Sequence, residues 1–121
     1  MKQIYTRIFT VTFSTGDSGY VYADKISPGN VLRVETCFAY APERAASEEI
    51  ILGIKDGAEN IIIRATAPLA AQKGVSTENP FSMGEGDQLF AYFPSAEDAD
   101  QLGIHVIGVL YSLDEWRKIR E

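Results

Sequence analysis

Apolar and polar residues alternate with a period of two along most of the chain. In "FTVTF", Phe9, Val11 and Phe13 point one way and Thr10 and Thr12 the other. That is the pattern of a half-buried strand with threonine on its wetter face. "STGDSG" interrupts the alternation and "YVYAD" resumes it. Pro28-Gly29 in "ISPGN" reads as a turn. After it, "VLRVETCFAY" places Leu32, Val34, Phe38 and Tyr40 on one face and Arg33 and Glu35 on the other. "APERAASE" reads as a loop or a single helical turn. "EIILGI" and "NIIIRAT" read as strands, because β-branching restricts isoleucine in a helical turn, and Asp56-Gly57 between them marks a hairpin.

From Pro68 to Asp87 the period dissolves, which leaves a functional loop or a short, irregular strand. "QLFAYF" and "IHVIGVLYSL" complete the strands, joined by the acidic connection "PSAEDADQLG". At the end of the chain Ser112 and Glu115 have capping-box spacing, and Leu113, Trp116 and Ile119 recur every three residues. A short C-terminal helix is expected there. Seven or eight strands, with no βαβ alternation and no internal repeat, predict an all-β fold. The expected architecture is an antiparallel two-sheet β-sandwich of jelly-roll or Greek-key type, with a barrel as second choice. It forms one domain over residues 1–121, with 113–121 as a tail.

Composition narrows the function. The chain has 121 residues, 45% hydrophobic and 23% charged, enough for a core without staples. A net charge of −6 speaks against nucleic acid, whose phosphates call for clustered Lys and Arg. No basic residue lies between Lys73 and Arg117, an interval that holds Glu78, Glu85, Asp87, Glu97, Asp98, Asp100, Asp114 and Glu115. "MKQIYTRIFTVTF" does not read as a signal peptide, and no apolar run has the length of a membrane span. The expected location is the cytoplasm, or a virion if the chain is phage-derived. The single Cys37 has no partner for an intramolecular disulfide and reads as a small apolar residue inside a strand.

Gly16-Asp17-Ser18-Gly19 matches the tetrapeptide around the nucleophile of chymotrypsin-like proteases, but the chemistry around it is missing. A serine nucleophile needs a base. The one histidine, His105, lies far downstream in "IHVIGV", sharing a face with Ile107, Val109 and Tyr111. Ser18 therefore reads as a turn residue. One histidine and one cysteine do not supply the ligands of a zinc or iron site, so no cofactor is expected. Glu97, Asp98 and Asp100 in "AEDAD" are hard oxygen ligands of the kind calcium takes, but without EF-hand spacing, and a solvated acidic loop is the default reading. Glu85 and Asp87 in "GEGD" read as turn residues rather than a glycosidase pair.

Recognition is then the question. Tyr20 and Tyr22 share a face opposite Val21, and Trp116 sits where little chain is left to bury it. Arg117, Lys118 and Arg120 form the only basic cluster, opposite in sign to the stretch before it. Contacts are expected through the tail, with Trp116, Arg117, Ile119 and Arg120, through Phe81 in the 68–87 stretch, and through Tyr20 and Tyr22. The closing block, "GEGDQLFAYFPSAEDADQLGIHVIGVLYSLDEW", resembles the C-terminal half of small β-sandwich proteins of tailed-phage virions, of the decoration, fibre or tail-accessory kind. The resemblance implies a structural role in a symmetric particle, with no catalytic residues to carry over. The expectation is a non-enzymatic assembly protein, partnered by itself as a homo-oligomer and by a capsid or tail protein. A carbohydrate-binding module using exposed aromatics such as Tyr20, Tyr22, Tyr92 or Trp116 is the alternative, and a small hydrolase dependent on His105 the second.

Overall fold

The computed structural model describes residues 3–14, 19–40, 50–57, 59–66, 74–77, 79–94 and 99–120. Nine strands and one helix occur among them: β1 (Gln3–Thr12), β2 (Tyr20–Tyr22), β3 (Asn30–Tyr40), β4 (Ile50–Asp56), β5 (Glu59–Thr66), β6 (Gly74–Ser76), β7 (Phe81–Met83), β8 (Gln88–Tyr92), β9 (Gln101–Ser112) and α1 (Leu113–Arg120). Turns fall where the sequence placed them. Gly29 and Gly57 adopt φ of +80° and +62°, a region closed to most side chains. At "GEGD", the Gly84 N–H donates to the Asp87 carboxylate at 2.9 Å, and the Asp87 N–H returns to the Gly84 carbonyl at 3.1 Å. Asp87 is thus a turn residue, as expected.

The chain folds as one long antiparallel ribbon rolled on itself. β1 pairs with β9, β2 with β8, β3 with β6 and β7, and β4 with β5. Rolling then lays β9 against β3 and β8 against β4. The result is a five-stranded sheet ordered β1-β9-β3-β6, with β7 also on β3, and a four-stranded sheet ordered β2-β8-β4-β5. This is a jelly-roll β-sandwich. Both sheets feed the core: Leu32, Val34, Met83, Ile104 and Val106 from one, Val21, Leu52, Leu89 and Ala91 from the other.

Two details differ from expectation. The aperiodic stretch holds two strands rather than one, β6 and β7, each three residues long and therefore too short to show a period. Its residues 68–73 and 78 lie outside the described residues, as does "APERAASE". The second difference lies in β3. Val34 pairs with Gly108 and Thr36 with Ile107, so Glu35 is an extra residue, a β-bulge. Beyond it the alternation reverses: Cys37 and Ala39 turn inward at 0% exposure, and Phe38 and Tyr40 turn outward. Gly108 makes room, since a Cβ there would run into the Arg33 carbonyl.

The tail is a helix capped as its spacing predicts. The Ser112 hydroxyl accepts from the Glu115 N–H at 3.3 Å and lies 3.1 Å from the Glu115 carboxylate. The Leu113 N–H donates to the Gly29 carbonyl at 2.8 Å, tying α1 to the start of β3. No helix among the described residues is long and apolar enough to cross a membrane.

Candidate functional site

The outer face of the four-stranded sheet carries an aromatic cluster. Register brings Tyr20 opposite Tyr92 and Tyr22 opposite Phe90. The Tyr20 and Tyr92 centroids are 4.5 Å apart, and those of Tyr20 and Tyr22 are 5.6 Å apart with planes within 7°. The Lys55 ammonium stands 5.6 Å from the Tyr22 centroid. Phe90 faces outward yet is 2% exposed. It sinks over Gly53, where a Cβ would come within 2.6 Å of its ring, and packs beside Tyr20 and Tyr22. The cluster is a small second core on the outside of the sheet. Rings 4.5 Å apart overlap face to face, so Tyr20 and Tyr92 each have one face occupied by the other.

The outer face of the five-stranded sheet is different in kind. Ladder rows run Ile8–His105–Phe38, Thr6–Ile107–Thr36 and Ile4–Val109–Arg33 across β1, β9 and β3. Ile4 is 87% exposed, Ile8 60% and Ile107 41%, a band of β-branched side chains facing water. Beside it Phe38 and Tyr40 lie 5.8 Å apart, with Tyr40 packed over Gly103. At the rim a cleft of about 160 Å³ opens on the inward side of β1, lined by Tyr5, Arg7, Asp24 and Lys25 among others. Burial raises the Tyr5 phenol above its ordinary range; Arg7 pulls it back and Asp24 pushes it further up.

Of the residues singled out from sequence, Tyr20 and Tyr22 meet in the aromatic cluster. Phe81 is half-buried on β7 and packs against the core. Trp116 is half-buried, its ring 5.6 Å from that of Tyr111, and Arg117 is exposed on α1. Ile119 and Arg120 belong to α1, but their side chains lie outside the described residues. So do Ser18, Glu97 and Asp98. Asp100 is buried, and its carbonyl accepts from the Phe13 N–H at 2.8 Å. His105 is half-buried between Ile8 and Phe38. Among the described residues no group of three or more His, Cys, Asp or Glu has metal-ligand placement.

No protein-family model matches the chain, and no curated protein matches it. Among solved structures, a chain of the acidic stable capsid of Helicobacter pylori bacteriophage KHP30 is similar over 92% of this chain and 94% of its own. Its TM-score is 0.57 at 13% identity. The Drosophila NLP-core, described for pentamer formation and histone binding, aligns over 84% of this chain and 96% of its own, at TM-score 0.45 and 14% identity. A family 35 carbohydrate-binding module from Clostridium thermocellum aligns over 93% and 98%, at TM-score 0.39 and 14% identity. At 13% identity the likeness to the capsid chain is one of fold.

Sequence reasoning missed Ile4, Ile8, Ile107 and Phe38. The signal for the first two was present. Carried back from "FTVTF" to Gln3, the alternation puts Ile4 and Ile8 on the same face as Thr10 and Thr12. For Phe38 the bulge at Glu35 erased it.

Proposed function

We propose that this chain is a non-enzymatic assembly protein, a jelly-roll subunit that works by presenting its sheet faces to other copies of itself within a virion. The observation that carries the reading is the β-branched band on the five-stranded sheet, with Ile4 and Ile8 more than half exposed. Burying an isoleucine fully is worth about 1.5–3 kcal/mol, a driving force the isolated subunit leaves unused. The virion reading draws support from the fold likeness to the KHP30 capsid chain, which spans nearly all of both chains. The non-enzymatic reading draws support from His105, set among apolar neighbours on an outer face, and from Cys37, whose thiol is buried and protonated.

Light scattering across a dilution series tests it. The wild-type chain is expected to form a defined oligomer, closed and symmetric by negative-stain microscopy. The pair Ile8→Lys and Ile107→Glu, both on exposed positions, is expected to return it to a monomer with its thermal stability unchanged. A monomeric wild-type protein at high concentration would sink the proposal.

The aromatic cluster supports the carbohydrate-binding alternative less well. Stacking on a sugar needs open ring faces, and Tyr20 and Tyr92 spend one each on the other.

A further inference from the structure

The strand at the rim of the apolar band has an open edge, and its hydrogen-bonding pattern can be worked out. Among the described residues β1 pairs with β9 alone, in unbroken register from Gln3↔Leu110 to Thr12↔Gln101. Just beyond it, Phe13 uses both backbone groups on the β9 side, donating to Asp100 and accepting from Ala99. Direction alternates residue by residue in an antiparallel ladder. The odd-numbered residues of β1 therefore bond to β9, while Ile4, Thr6, Ile8, Thr10 and Thr12 aim their N–H and C=O groups at the open edge. An independent contact agrees: the Thr6 carbonyl accepts from the Arg7 guanidinium at 3.2 Å, a side chain standing where a neighbouring strand would be.

We infer that this edge pairs with β1 of a second copy, antiparallel about a two-fold axis through Thr6, so that two five-stranded sheets join into one. The inference rests on the assembly reading above and names its partner and mode. Self-pairing about a two-fold matches residue i with a fixed sum minus i. Only even sums bring the outward groups of both strands together, so the axis passes through a residue. Through Arg7 it would set two guanidiniums directly opposite, which is destabilising. Through Ile8 it would set Ile4 against Thr12. Through Thr6 it matches Ile4 with Ile8 twice on the outer face, covering both exposed isoleucines with apolar partners. On the inner face it brings Arg7 of each copy to Tyr5 of the other, in the cleft where Asp24 lies. The apolar band continues across the junction instead of ending at it.

An edge this long is ordinarily blunted by charge, proline or a bulge. Among residues 3–12, only Arg7 serves that purpose. Its hold on the Thr6 carbonyl is exposed and single, readily exchanged for a backbone ladder.

Thr6→Cys tests the register. Across a two-fold hydrogen-bonded pair the Cα atoms are about 5.5 Å apart, within the span a disulfide bridges. Cys37 does not compete, being fully buried. Mild oxidation is expected to convert Thr6→Cys to a covalent dimer on a non-reducing gel, while Thr10→Cys, remote from its own copy in this register, stays a monomer. Thr6→Pro deletes an outward N–H without touching the β9 ladder. It is expected to weaken association about tenfold or more, with two bonds lost per pair. If the wild type is oligomeric but Thr6→Cys does not cross-link and Thr6→Pro associates normally, edge pairing is wrong and the assembly reading stands. Equal cross-linking of Thr10→Cys overturns the register. A monomeric wild type overturns both.

Discussion

At Cys37, burial raises the thiol from its ordinary 9.0 to about 12. The unfolded chain loses this proton above about pH 9, whereas the native state keeps it until about pH 12. Between those limits the unfolded state binds fewer protons, so stability falls as pH rises, by up to about 1.4 kcal/mol per pH unit. The contribution is intact below pH 9. Urea titrations of wild type and Cys37→Ala, at neutral pH and at about pH 10.5, check the expectation. The variant should start less stable, because it leaves a cavity, and decline less steeply. Parallel declines would mean that the thiol is open to water. That Cys37 sits inside a strand was legible in the sequence. The face it shares was not, because one inserted residue at Glu35 reverses the parity of everything after it in β3.

Strands reveal themselves when they are long and one face differs from the other. β9 met that condition and β4 was legible from its isoleucine run; β6 and β7, three residues each, have no room for a period and owe their extended shape to β3. Thr77 extends the first of these pairings, its N–H donating to the Cys37 carbonyl at 2.9 Å and its hydroxyl accepting from the Cys37 N–H at 3.1 Å. In β4 the informative residue is Gly53. A Cβ there would lie 2.6 Å from both the Ile61 carbonyl and the Phe90 ring, one of which is backbone and will not yield cheaply. Gly53→Ala is expected to cost about 1–3 kcal/mol and to loosen the aromatic cluster. Gly84→Ala, with nothing within 4 Å of its Cβ, should stay within about 0.5 kcal/mol of wild type. Thermal melts of the two compare them directly, and equal melting would refute the packing of Phe90 over Gly53.

On the scale of the whole molecule the rolled ribbon sets the kinetics. Its outermost pairing joins Gln3 to Leu110, nearly the full chain apart, so much chain entropy is lost before the closing contacts form. Refolding is expected on the millisecond-to-second scale of all-β domains, followed in stopped flow through Trp116, which packs against Tyr111. Microsecond refolding would contradict the topology. Fold class, most strand positions, the turns at Gly29, Gly57 and Asp87, and the capped helix are legible in the residues alone, because each depends on a few neighbours in the chain. The rest emerges only once the chain folds. Which strand lies beside which, the bulge that turned Phe38 outward, and the open edge of β1 all follow from pairing between distant segments. A face is buried or wet only in relation to what covers it, and residues 3–12 do not record that their Ile4 and Ile8 stay exposed in the folded chain.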